Sequence, residues 1–154
     1  MKSLVEYINE ALNKDAMFMG TTSKRTDDNF KFTEGEKALL IKYDTHGYAV
    51  QLRGIVNIDK VNKKSIVISS DNADYDDFYK KLKFDNYGIC VVKNKNKYLG
   101  NSTQYWVLYN KELIDDSDIT ELLEKGNNTW GFRFHHMNKD EYIKDLKEYI
   151  KEIQ

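Results

Sequence analysis

Tyr48-Ala49-Val50-Gln51-Leu52-Arg53-Gly54-Ile55-Val56-Asn57-Ile58 is the stretch on which the fold turns. Apolar and polar residues alternate along it, the pattern of a long strand with one face buried, and Gly54 marks a bulge or bend within it. Such a strand needs partners, and the flanking sequence supplies them. Lys37 to Tyr43 carries Leu39, Leu40 and Ile41 and is joined to it by the turn residues Thr45-His46-Gly47. Asp59 to Lys64 reads as a second turn and Ser65 to Ser69 as a third strand. Connections this short join antiparallel neighbours, so the three predict a meander.

Downstream, Asp74 to Lys83 has acids in its first turn and lysines in its last, complementing a helix dipole, with Tyr75, Phe78, Tyr79 and Leu82 on one face. Tyr87 to Val92 predicts a short strand of buried type, Lys93 to Lys97 a basic turn, and Gln104 to Tyr109 another strand. Asp118 with Glu121 is a capping box that opens a short helix. Thr129 to Met137 reads as an aromatic strand, and a final helix from Asn138 presents Tyr142, Ile143, Leu146, Tyr149, Ile150 and Ile153 on one face. Strands and helices do not alternate regularly. The expected class is α+β, a mainly antiparallel sheet with helices packed on one face, plus an N-terminal amphipathic helix.

The chain has 154 residues, enough for one domain with a real core, and a hydrophobic content of 40% supports folding. Charged residues are balanced to a formal net of −1, so no global basic field draws the chain onto nucleic acid or an anionic membrane. No apolar run is long enough to span a bilayer, which predicts a soluble protein without membrane contact. Cys90 is the sole cysteine, so no intramolecular disulfide can form.

Ser3 with Glu6 makes a capping box, after which Leu4, Val5, Ile8, Ala11 and Leu12 recur on one helical face beside Tyr7. At about three turns this helix is marginal alone and needs a surface. Glu6 and Glu10 interrupt what would be the apolar core of a secretory signal. The segment, ending Tyr7-Ile8-Asn9-Glu10-Ala11, resembles the N-terminal capsid-targeting segments of the internal head proteins of T-even-type tailed phages. In that family a prohead protease cuts after the Glu of a Leu/Ile-x-Glu motif, before a small residue. The resemblance therefore implies a cleavage site at Ile8, Glu10 and Ala11, with Leu4, Val5, Ile8 and Leu12 as the targeting face. Leu4-Val5-Glu6, Ile119-Thr120-Glu121 and Leu146-Lys147-Glu148 fit the short pattern too but lack the small residue after it. An ordinary N-terminal helix packed on its own domain is the competing reading. The implied organisation is a targeting helix over 1–12, a polar linker over 13–29 and a single α+β domain over 30–154.

Within the body, His135 and His136 are adjacent on a predicted strand and point to opposite faces, so they cannot share a metal without a bulge. Either could pair with Cys90 as a nucleophilic dyad, although a cysteine between Ile89 and Val91 reads first as a small core residue. Asp115-Asp116-Ser117-Asp118 lacks the length, central Gly and terminal Glu of a calcium loop and serves a helix start instead. No glycine-rich phosphate motif and no zinc-protease motif occurs. Neither a cofactor nor a metal is expected. Lys93, Lys95 and Lys97, with Arg133 and His135, are the weak candidates for contact with nucleic acid.

What the resemblance implies is a phage protein packaged in the virion interior through contact with scaffold or prohead. It would then be delivered to the host cytoplasm, to bind a host protein of defence or nucleic-acid metabolism. Two alternatives stand beside it. One is a small cytoplasmic enzyme with a site around Cys90, His135 and His136, and the other is a nucleic-acid-binding module.

Overall fold

A computed structural model describes residues 31–44, 49–98, 100–112 and 139–154 of the chain. Among the described residues five strands form one antiparallel sheet: β1 (Lys37–Asp44), β2 (Ala49–Val61), β3 (Ile66–Ser69), β4 (Ile89–Asn96) and β5 (Gly100–Tyr109). Helix α1 (Ala73–Lys80) lies between β3 and β4 in sequence, and α2 (Lys139–Ile153) closes the chain. The strand order is β3-β2-β1-β5-β4. The meander of β1, β2 and β3 forms as its short connections demand, and β1 then pairs on its other side with the late strand β5.

The central position of β1 follows from its residues. Ala38, Leu39, Leu40 and Ile41 are consecutive and fully buried, which a strand can achieve only if both faces of the sheet are covered. Leu39, Ile41 and Tyr43 face α2, where they pack with Leu52, Val107, Tyr109, Leu146, Ile150 and Ile153. Ala38 and Leu40 face the other way, into a second cluster with Val56, Ile58, Ile66, Ile68, Leu108 and, from α1 and the segment after it, Tyr79, Leu82 and Phe84. Each such aliphatic side chain contributes about 1.5–3 kcal/mol on burial. The two described helices thus lie on opposite faces. This corrects the expectation that the helices share one face: a run of apolar residues with no polar interruption in β1, repeated at Val107-Leu108-Tyr109 in β5, needs a cover on each side.

The bulge expected at Gly54 is present. Leu39 stands opposite Ile55 and Leu40 opposite Gly54, but Ile41 stands opposite Leu52, so β2 carries one residue more than β1 at this point. Gly54 has φ +107, a conformation that disfavours any side chain. As a result Leu52 and Ile55, three positions apart, both pack against the α2 cluster, while Arg53 is carried to the α1 face. Strand β2 also runs three residues past Ile58, so Asp59 to Val61 belong to it and not to the expected turn. Register shifts again between Ile58 and Lys60, where the Asp59 carboxylate accepts from the Ser69 hydroxyl at 2.7 Å.

Helix α1 is capped by Asn72, whose side chain accepts from the Asp74 N–H at 3.0 Å, and Lys80 pairs with Asp76 one turn earlier at 2.9 Å. Buried Asn110 ties the end of β5 to the segment before β1. Its amide donates to the Lys31 carbonyl at 3.0 Å, and its Oδ1 accepts from the Glu112 N–H at 3.1 Å. The buried Tyr43 and Tyr109 hydroxyls bond to each other at 2.9 Å. The expected N-terminal helix and linker, the expected turn at Thr45-His46-Gly47, the expected Asp118–Glu121 capping box and the expected aromatic strand from Thr129 to Met137 lie outside the described residues.

Candidate functional site

The most concentrated chemistry in the described structure gathers around Arg53 on the α1 face. The bulge carries this residue over Trp106 of β5, and α1 brings two more rings to it. Its guanidinium carbon lies 5.3 Å from the centroid of Trp106, 5.3 Å from Tyr75 and 5.6 Å from Tyr79. Its Nε donates to the Tyr79 hydroxyl at 2.9 Å and one terminal nitrogen donates to Gln51 Oε1 at 3.2 Å. Lys42, in register with Trp106, sets its ammonium 5.3 Å from the same indole. Phe78 completes the group, its ring 5.5 Å from Trp106.

Two cations over one indole are held there by the negative face of the ring, each contact worth about 0.5–2 kcal/mol depending on its desolvation. The rings also order one another: Tyr75 stacks on Tyr79 at 5.7 Å, and Tyr79 meets Trp106 edge to face at 6.1 Å. Burial pushes the Tyr79 phenol above its ordinary range, and the hydrogen bond from Arg53 pulls against that shift. Tyr79 therefore stays a neutral hydroxyl that accepts from Arg53. Trp106 is only 2% exposed, and its Nε1 has no hydrogen-bond partner. An orphaned donor of this kind costs about 1–3 kcal/mol.

The outer part of the cluster reaches the surface. Tyr75 is 39% exposed and Phe78 49%, both on the solvent side of rings that are themselves locked from behind. Exposed aromatics backed by a fixed arginine and tryptophan have the composition of a protein-binding hot spot, because little side-chain freedom remains to be lost on contact.

Of the residues singled out in the sequence, Cys90 lies in β4 with its side chain in the α1-side core, paired in register with Trp106. Burial raises its thiol pKa, so the reactive thiolate is suppressed. We expect slow labelling of Cys90 by a thiol reagent in the native protein at neutral pH and fast labelling after denaturation; fast native labelling would restore the enzyme reading. His135, His136 and Arg133 lie outside the described residues, as do the cleavage-site residues Ile8, Glu10 and Ala11 and the targeting face Leu4, Val5, Ile8 and Leu12. Among the described residues, no three His, Cys, Asp or Glu side chains are grouped to hold a metal. Nor, among them, is any helix long and apolar enough to cross a membrane.

Lys93 and Lys95 do not sit in a turn. Strand β4 continues to Asn96, well beyond the expected Val92, and both lysines are on it; only Lys97 is in the turn with Tyr98. The reason is the partner strand, since β5 begins at Gly100 and pairs Lys93 with Thr103, Asn94 with Ser102 and Lys95 with Asn101. Lysine and asparagine are poor strand formers, and cross-strand pairing overrides that preference here. Among the described residues β4 pairs with β5 alone, and Val91, expected in a buried strand, is 49% exposed.

A comparison of the chain with protein families, with curated proteins and with solved structures finds no match.

Proposed function

We propose that this chain is a phage-encoded internal head protein, packaged through its N-terminal segment and delivered to the host cytoplasm, where the body acts by binding a host protein of defence or nucleic-acid metabolism. The observation that carries the reading is the segment Met1 to Leu12, in which a capped amphipathic face is joined to Ile8-Asn9-Glu10-Ala11. The aromatic surface at Tyr75 and Phe78 supports binding as the mode of action, since Arg53 lies over the Tyr75 ring and Phe78 packs on Trp106.

On this reading the copy inside mature virions begins at Ala11. In the sequence Glu10 falls near the end of the expected helix, which at about three turns would be marginal and could fray into the extended form a protease requires. Glu10→Gln is expected to block trimming without blocking packaging, because Leu4, Ile8 and Leu12 are untouched. Replacing Leu4 and Ile8 by Asp is expected to exclude the protein from heads. N-terminal sequencing of the virion-associated protein decides between the outcomes: a chain still beginning at Met1 in the particle, or no protein there, overturns the proposal.

A further inference from the structure

We infer that the β4–β5 hairpin is a DNA-contacting arm, its three lysines seated on the phosphates of a B-form duplex. The charge distribution is the first observation. From Asn86 to Lys111 there is no Asp or Glu, although acids and bases are evenly matched over the whole chain. That run holds Lys93, Lys95, Lys97 and Lys111, so with the chain at −1 overall its four positive charges leave the remainder at −5. The balanced total conceals a positive hairpin on a negative body.

Geometry is the second. The register of β1 with β5 runs from Leu39 opposite Tyr109 to Asp44 opposite Gln104. The register of β4 with β5 goes further, through Thr103, Ser102 and Asn101 to Gly100. Four more residues of strand extend about 13 Å, and the turn at Lys97 and Tyr98 stands beyond them. Lys93, Lys95 and Lys97 are all exposed, and Tyr98 at the tip is 88% exposed.

The dimensions fit one class of polyanion. Strands in a ribbon are about 4.8 Å apart, and the B-DNA major groove, about 12 Å wide, admits a two-stranded ribbon. Lys93 and Lys95 lie on one face and are separated by about 6.7 Å along the strand, close to the axial rise of two base pairs. An A-form RNA duplex has a deep, narrow major groove that excludes the ribbon. Because the rest of the chain is negative, attraction is confined to the arm, and binding is weak and strongly salt-dependent. The inference is independent of how the protein reaches its host.

The test is fluorescence anisotropy of a labelled DNA duplex of about 20 base pairs titrated with the full chain. Three neutralised phosphates give a slope of about −2.7 in log affinity against log salt, or a loss of about 40-fold between about 50 and 200 mM. The variant carrying Lys93→Ala, Lys95→Ala and Lys97→Ala is expected to lose at least about tenfold in affinity at the lower salt, together with most of that slope. The same three positions changed to Arg, which keeps the charge, are expected to retain binding. Lys144→Ala with Lys147→Ala, exposed on α2, is expected to leave it unchanged. Absence of binding at the lower salt, equal affinity of the triple alanine variant, or tighter binding of a duplex RNA or a single strand overturns the inference.

Discussion

Gly88→Ala is expected to destabilise the protein by about 2–5 kcal/mol, a large effect for one methyl group. Gly88 has φ +75, where a side chain costs about 1–2 kcal/mol in backbone strain alone. A Cβ there would stand 2.7 Å from Cζ and 2.8 Å from Cε2 of the Phe32 ring, and 3.2 Å from Cβ of Leu108. Neither neighbour can retreat easily, since both are in the α1-side core and the Leu108 N–H is bonded to the Gly88 carbonyl at 2.8 Å. Overpacking of this kind adds about 1–3 kcal/mol. The turn also depends on the local geometry: the Gly88 N–H donates to the Asp85 carbonyl at 3.0 Å, and the Asp85 carboxylate accepts from the Tyr87 and Ile89 N–H groups. Gly100→Ala is the matched control, with φ +82 and no atom within 4 Å of the added Cβ, and should show the backbone cost alone. Urea unfolding of both variants checks the difference. Equal losses would mean that Phe32 does not cover Gly88 in solution.

Trp106→Ala is expected to cost about 3–5 kcal/mol, the range for emptying a buried aromatic position. Trp106→Phe separates the ring from its N–H. Phenylalanine keeps a π face for Lys42 and Arg53 and removes a buried donor that has no partner, so part of the lost packing is offset. The expected loss for the Phe variant is therefore under about 1.5 kcal/mol. Chemical denaturation distinguishes the two cases. A loss for Trp106→Phe as large as that for Trp106→Ala would show that the indole N–H is satisfied after all.

Periodicity carried much of the sheet. The alternation in β2 located its longest strand, and the interruption at Gly54 located its bulge, because a residue free to take positive φ inside a strand has few other uses. The apolar spacing of α2 likewise picked out Leu146, Ile150 and Ile153, all buried. Which face each helix covers was legible in principle, from the uninterrupted Ala38-Leu39-Leu40-Ile41 run, but the strand-and-helix order alone does not express it. The length of β4 was hidden because Lys93 to Asn96 has neither alternation nor strand propensity, and only its pairing with β5 extends it. The Arg53 cluster was hidden for a different reason. Its members are spread over β1, β2, α1 and β5, each with an ordinary local role as a core ring, a solvated cation or a helix-face residue. Only the register of β1 with β2 and β5 brings them together.

The bulge in β2 has a genetic consequence. Removing Arg53 alone would leave Leu52, Gly54, Ile55 and Val56 in strict alternation, with every remaining side chain on the face it already occupies. A one-codon deletion there would preserve the pattern of both cores and erase the cation around which the Tyr75, Tyr79 and Trp106 rings are gathered. Fold and site are thus separable at a single codon, and a lineage can gain or lose this surface without repacking the protein beneath it.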